Sequence, residues 1–273
     1  MQKVLMIGCG NMGGALLKHW HDDYHVTVVK PSAIDMSNLN NANNMNSVNS
    51  VSYTNKASNI LHQSFDIVVI AIKPQAFPHV LPEYVAVKAN MVVSIAAGVS
   101  IGKISRYFPD QQNIIRAMPN LATMVQQSIT ALLPSPDCHE QYIKACGELF
   151  AKVGTTILLD DDDGVDKFTA VAGSGTAYIC YFIEQLIAAS QNLGFSEQDS
   201  GKIVLQTMYG AGEIIRQWQL DNLQQLAQLR SNVTSKGGTT EAGLEVMMND
   251  ADTLKQLLER TINNAYKRSK EIQ

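Results

Sequence analysis

Lys3-Val-Leu-Met-Ile7 followed at once by Gly8-Cys-Gly-Asn-Met-Gly13 is the stretch on which the reading of this chain turns. A short apolar run reads as a buried strand, and G-x-G-x-x-G after it leads into an alternating run through Leu17 that reads as a helix. In that strand–turn–helix setting the pattern is a dinucleotide fingerprint. Gly8 permits the tight turn, Gly10 lets a pyrophosphate approach the main chain, and Gly13 lets helix and strand pack closely. The positive end of the helix then points at the phosphates. Cys9, Asn11 and Met12 fill the turn between the glycines, with Cys9 read as a small steric filler.

Outward from this stretch, composition narrows the class. The chain has 273 residues, room for two domains, and is 45% hydrophobic, enough for a packed core. Its net charge of −4 and the lack of a basic stripe argue against nucleic acid as a partner. Four cysteines, Cys9, Cys138, Cys146 and Cys180, are scattered without a CxxC pair, so neither a metal site nor a disulfide framework is expected. Phe168 to Ile183, the longest uncharged apolar-leaning stretch, is shorter than the roughly 20 residues of a membrane span. A strand begins almost at the first residue, which leaves no secretory signal and makes the cytoplasm the expected compartment.

Short, β-branched, almost continuously apolar runs at Val4–Ile7, Val26–Val29, Asp66–Ile72, Met91–Ile95, Asn113–Ala117, Ile129–Leu133 and Thr155–Leu159 read as buried strands. Helical patterns at Asn11–His21, Ala76–Val85, Ile101–Tyr107 and Glu140–Val153 lie between them. This alternation predicts an α/β fold, a Rossmann-like doubly wound sheet, over residues 1–160. Ser37 to Ser50 is rich in asparagine and reads as a polar insertion. The acidic run Asp160–Asp163 reads as the end of the sheet domain, placing negative charge at a helix start; a catalytic carboxylate cluster is the sharper alternative.

From residue 161 to 273 the pattern is helical. One long helix is expected over Val165–Leu193, stopped at Gly194. A second is capped at Ser196 and runs to about Trp218. Shorter helices follow at Asp221–Leu229 and Thr240–Asn249, and Asp252–Glu271 closes the chain. The first of these helices is apolar on nearly every side, so it calls for burial against a partner. A homodimer with interleaved helical domains is the expectation.

Loops following successive strands carry candidate chemistry. After the second strand, Val29-Lys30-Pro31-Ser32 offers no acid for ribose hydroxyls. Lys30 and Ser32 instead suit a 2′-phosphate by charge and hydrogen bond, which favours NADPH; if Lys30 is merely solvated, NADH remains open. Ala71-Ile72-Lys73-Pro74, Ser94-Ile-Ala-Ala97-Gly98 and Arg116-Ala-Met118-Pro119-Asn120 sit where ligands of open α/β sheets bind. In the helical half, Asn232-Val-Thr-Ser235-Lys-Gly237-Gly238-Thr239-Thr240-Glu241 leads into a helix. Its unpaired amides can hold a carboxylate or phosphate, or it is an ordinary cap. No nucleophile–base set is present, and most of the six histidines read as surface residues. Reduction of an imine suits this, because a protonated C=N already draws hydride.

Taken together, Gly8–Gly13, Ile72-Lys-Pro-Gln75, Ser94–Gly98, Arg116–Asn120, Gly173-Ser-Gly-Thr-Ala-Tyr178 and Thr234–Thr240 resemble the pyrroline-5-carboxylate reductase family nearly end to end. The resemblance implies NAD(P)H-dependent reduction of 1-pyrroline-5-carboxylate to proline by a Rossmann domain with a helical dimerisation domain, often assembled into rings of dimers. It implies that Gly8, Cys9, Gly10, Asn11, Met12 and Gly13 bind the cofactor diphosphate, and that Lys30, Ser32 and Asn55 lie near the adenosine ribose. Ala71, Ile72, Lys73, Pro74 and Ala97 would line the cofactor groove, with Met118, Pro119 and Asn120 bordering nicotinamide and substrate. Ser235, Gly237, Gly238, Thr239 and Thr240 would hold the substrate, with Thr240 at the ring nitrogen as the catalytic residue. The chain departs from the pattern at Thr176 and Lys236, where the family commonly has proline. A β-hydroxyacid-type dehydrogenase and a non-catalytic NADP sensor are the rival readings; the first would need an acidic lysine, and Lys167 lies too early for it.

Overall fold

The computed structural model describes residues 1–32, 50–249 and 253–271. It divides into two compact units: Met1–Thr176 with the residues from Ala265 onward, and Ala177–Asn264. Among the described residues, the first unit is built on eight strands: β1 (Lys3–Ile7), β2 (His25–Val29), β3 (Val51–Thr54), β4 (Ser64–Ile70), β5 (Lys88–Ser94), β6 (Ile114–Met118), β7 (Ser128–Pro134) and β8 (Gly154–Leu158). They form one sheet in the order β3-β2-β1-β4-β5-β6-β7-β8. Its helices are α1 (Asn11–Trp20), α2 (Phe77–Val80), α3 (Ile101–Ser105), α4 (Glu140–Ala151) and α5 (Asp162–Phe168).

Alternation along the central strands explains the layering. Val4 and Met6 of β1 join Leu16, Leu17, Trp20, Leu149 and Phe150 in one core. Leu5 and Ile7 join Val68, Ile70, Phe77, Leu81 and Ile104 in another. The sheet is thus buried on both faces, as its almost unbroken apolar strands require. Trp20 donates its indole N–H to the Leu149 carbonyl at 2.9 Å and meets Phe150 edge-on, which ties α1 to α4.

Three expectations are corrected. β6 and β7 pair antiparallel, because residues 119–127 are too few for a parallel crossover, which takes about a dozen residues or more. The helix expected over Ala76–Val85 is a 3₁₀ turn at Pro74–Ala76, the four-residue α2, and a further 3₁₀ turn at Leu81–Tyr84; Pro78 and Pro82 remove the amides that a continuous helix needs. The single helix expected over Val165–Leu193 is α5, a π-turn at Thr169–Gly173, and α6 (Gly175–Asn192). The wide turn shows in the bond from the Ser174 N–H to the Thr169 carbonyl, while the Thr169 hydroxyl bonds back to Val165 O at 2.7 Å. β3 went unread: it is a four-residue, largely solvated edge strand. The asparagine-rich insertion lies, up to residue 49, outside the described residues.

In the second unit, α7 (Glu197–Gln217) is capped by Ser196, which accepts from the Asp199 N–H, and α8 (Leu223–Asn232) is capped by Asn222. α9 (Thr239–Asn249) follows, and α10 (Leu254–Glu271) runs back into the first unit. Gly194 has φ +100, the stop its position in the sequence implies. α6 buries none of its residues, leaving Ile179, Tyr181, Phe182 and Leu186 exposed. No helix among the described residues is long and apolar enough to cross a membrane.

The acidic run is structural. Asp161 Oδ1 accepts from the Gly164 N–H at 2.6 Å and caps α5. Asp162 pairs at 2.5 Å with Arg116, which is 1% exposed; Asp166, equally buried, lies 3.8 Å from the same guanidinium and accepts from Ser269 of α10. These contacts tie α5 and α10 to the sheet within the first unit, which extends as far as Thr176.

Asp163 accepts from Lys167 Nζ (2.7 Å), Lys270 Nζ (2.8 Å) and the Tyr266 hydroxyl. These bonds, that of Lys167 foremost, hold its carboxyl well below the usual carboxylate range. A depressed folded pKa adds stability that is present above the unfolded value, about 3.9, and lost as pH falls through the folded one. Asp163→Asn should therefore lower Tm at neutral pH, and thermal melts taken stepwise below about pH 4 should show the gap to wild type closing.

Candidate active site

Parallel register builds the candidate site of the sheet unit. Ile7 pairs with Val29 and Ile70, Val29 with Thr54, Ile70 with Ser94, and Ser94 with Arg116. Five strand ends and Arg116, two residues before the end of β6, therefore stand in one row, and the residues after them share one edge of the sheet. Read across the sheet, the row leads to Asn55, Lys30, Gly8, Ala71, Ala97 and Met118–Asn120. At about 4.8 Å per strand the row spans about 24 Å, room for an extended dinucleotide.

At its centre, Gly8 has φ +82, and a Cβ there would run into the Ile72 side chain and lie 2.8 Å from the Ala71 carbonyl oxygen. Only glycine fits. A Cβ on Gly13 would stand 3.2 Å from the Ala71 Cβ and 3.4 Å from the Met6 sulfur, so the helix sits close on the strands. Gly10 differs: its φ is −82, and nothing among the described residues lies within 4 Å of where a Cβ would be. The space over it is clear for a ligand. Gly10 is the N-cap of α1 with no side-chain cap, the first helical bond being Gly14 N–H to Gly10 O at 2.8 Å. The amides of Asn11, Met12 and Gly13 thus have no helical partner, and no acid occupies the first turn. The residues fit a diphosphate.

Cys9 is half-buried; burial pushes its thiol up, against the opposing pull of the Lys30 charge. A raised thiol pKa suits a filler, not a nucleophile. Lys30 is held by its backbone, whose N–H donates to Thr54 O and whose carbonyl accepts from the Tyr53 hydroxyl at 3.0 Å. Ser32 and Asn55 are exposed on the same edge, as are Lys73 and Ala97, with Ile72 and Pro74 half-buried beside them. At the far end, the Asn120 Nδ2 donates to the Ala172 carbonyl at 3.3 Å, a carbonyl of the π-turn, and its buried Oδ1 has no partner among the described residues. An orphaned buried acceptor is a vacancy for a donor supplied by a ligand. Met118 stands beside the π-turn: a Cβ on Gly173 would lie 3.4 Å from its Cε.

A separate candidate turn lies in the other unit, between α8 and α9. Gly237 takes φ +71, the Gly238 N–H closes on Ser235 O at 3.0 Å, and the Ala242 N–H opens the ladder of α9 on Gly238 O at 3.2 Å. Ser235, Gly237, Thr239 and Thr240 are exposed and Gly238 is half-buried. The amides of Thr239, Thr240 and Glu241 precede the ladder and point, with the positive helix end, toward any anion placed there. The Gly237 amide is already taken, donating to Glu241 Oε2 at 2.5 Å. Arg116, Ala172 and Glu241 are the site-shaping residues that sequence reading missed. A lone charge inside the apolar β6 run and a Glu three residues past the helix cap were the available signals. Of the histidines, His21 is buried, whereas four of the other five are exposed.

Comparison with known proteins shows the family. A family model described as pyrroline-5-carboxylate reductase dimerisation matches residues 162–272, and one described as NADP oxidoreductase, coenzyme F420-dependent, matches residues 3–98. The pyrroline-5-carboxylate reductase of Pseudomonas aeruginosa is 32% identical over 209 residues, 76% of this chain and 74% of that protein. Pyrroline-5-carboxylate reductase 2 of Bacillus subtilis is 29% identical over 279 residues, 100% of this chain and 95% of that protein. The crystal structure of Plasmodium falciparum pyrroline carboxylate reductase with NADP bound matches with a TM-score of 0.80 at 25% identity, over 99% of this chain and 98% of that one. A Rossmann-like sheet unit with an open glycine cradle, followed by this helical region, belongs to the pyrroline-5-carboxylate reductase family, and so does this chain.

Proposed function

We propose that this chain reduces 1-pyrroline-5-carboxylate to L-proline with NADPH, the final step of proline biosynthesis. The observation that carries this reading is a chain with two separate anion cradles. One is the open α1 start under Gly10; the other is the hydroxyl-rich start of α9. NADPH supplies the hydride that reduces the C=N bond at C5 of the ring. Lys30 and Ser32, with no acid beside them, favour the 2′-phosphate over a free ribose hydroxyl. The Asn120 Oδ1 supplies an acceptor at the nicotinamide end of the row.

The Thr239 and Thr240 amides hold the substrate carboxylate, with Ser235 at the mouth of the turn. Fixing the ring by its carboxylate supplies part of the about 7–11 kcal/mol that positioning can contribute. The Thr240 hydroxyl bonds the ring nitrogen and steadies the proton there. A β-hydroxyacid dehydrogenase reading is disfavoured, because Lys167, its would-be acid, is held at 2.7 Å by Asp163. The exposed apolar residues of α6 fit a homodimer with interleaved helical units, and a ring of dimers is a further step of the same kind. Four free cysteines accord with a cytoplasmic enzyme.

The direct test is NADPH oxidation with 1-pyrroline-5-carboxylate against 3-hydroxyacids. Tight NADPH binding without turnover of any substrate would sink the reading in favour of a sensor. With Thr240→Val, kcat should fall about 100-fold; an unchanged kcat from about pH 6 to 9 removes Thr240 from the chemistry. Gly10→Ala should fold normally, with stability reduced by no more than about 1 kcal/mol, yet weaken NADPH binding at least tenfold by calorimetry. Light scattering should give a mass at least twice the 29.9 kDa of one chain.

A further inference from the structure

The start of α9 contains a carboxylate of its own. Glu241, half-buried in the first turn, sends its side chain back to the preceding loop, where the Gly237 N–H donates to Oε2 at 2.5 Å. This is a variant of the capping box in which the acid at the third helical position reaches one residue past the cap, Gly238. Gly237 needs the support. It sits at φ +71, and the turn beyond it is tightly closed: a Cβ on Gly238 would run into the Ser235 hydroxyl and lie 3.0 Å from the Ser235 carbonyl oxygen. With Gly237 bound to Glu241 and Gly238 to Ser235, the next amides in line are those of Thr239 and Thr240.

We propose that Glu241 is a positioning residue of the substrate turn: its carboxylate occupies the Gly237 amide, fixes the turn, and leaves the Thr239 and Thr240 amides as the donors that meet the substrate carboxylate. The inference rests on the function proposed above and corrects the expectation that Gly237 itself grips the substrate. The arrangement has a cost. A fixed negative charge near a site for a carboxylate repels it, and Lys236, lining the same cleft as Glu241 and Glu245, is the cation placed to offset it. The acceptor oxygen, not the charge, is what the turn requires, so glutamine in its place keeps the bond and removes the repulsion.

The experiment compares the full-length wild type with Glu241→Ala and Glu241→Gln, by steady-state kinetics with 1-pyrroline-5-carboxylate and by hydrogen exchange of the peptide covering 233–242. Glu241→Ala should raise KM about tenfold, the worth of one charge-assisted hydrogen bond, with kcat within about threefold of wild type. Amide exchange in that peptide should accelerate while peptides of β1 and β4 stay protected. Glu241→Gln should keep wild-type protection and show an equal or lower KM. The proposal is overturned if the alanine variant keeps the wild-type KM, loses kcat at unchanged KM, or is matched in its defect by glutamine. A wild type that does not reduce 1-pyrroline-5-carboxylate would refute the function instead. The exchange arm then decides alone, and an alanine variant that exchanges like wild type overturns the positioning role.

Discussion

Parallel pairing in register is the constraint from which the sheet unit's chemistry follows. Because Ile7, Val29, Thr54, Ile70, Ser94 and Arg116 are aligned, every loop that follows them opens on one edge, whatever its sequence. That alignment is enforced by burial on both faces. A one-residue slip of β1 would exchange Val4 and Met6 with Leu5 and Ile7, moving each pair into the core shaped for the other. Register thus converts residues scattered from Gly8 to Asn120 into one linear groove, with the uncapped start of α1 near its middle.

The far end of that groove depends on a buried ionic fastening. Arg116 lies inside β6 at 1% exposure, and its charge is tolerable because Asp162 and Asp166 face it. Removing both carboxylates would leave a buried charge unpaired, which is strongly destabilising. The fastening holds α5 on the sheet, and α5 in turn delivers the π-turn. There the chain widens by one residue and presents the Ala172 carbonyl, which orients Asn120. The side-chain amide of Asn120 is thereby held in one orientation by the protein itself.

The helical unit follows a different logic. Its interior is thin, with Ser200 and Val204 the buried residues of α7 and none on α6, α8 or α9. Apolar surface of this extent is stable in water only when covered, so its stability is inseparable from association. A closely built feature is the turn between α8 and α9, where the Gly238 amide bonds the Ser235 carbonyl and the Gly237 amide bonds the Glu241 carboxylate.

Much of this was legible in the residues. The strand Lys3–Ile7 with the glycine turn after it, the buried strands of the sheet's middle, the caps at Ser196 and Gly194, and the glycine turn before Thr240 are local features. Their chemistry is decided by neighbours a few positions away. What escaped the sequence was decided by long-range contact or by the sum of small effects. β3 is a solvated edge strand whose pairing comes from β2. The antiparallel β7 follows from the length of a loop. The π-turn at Thr169–Gly173 reflects glycines, a threonine back-bond and an asparagine 52 positions away. The role of Asp162 and Asp166 required knowing that Arg116 lies beneath them. Local propensity and periodicity fix what each segment can be; only the folded chain, by bringing distant charges and backbone donors within bonding distance, decides which of those options is satisfied.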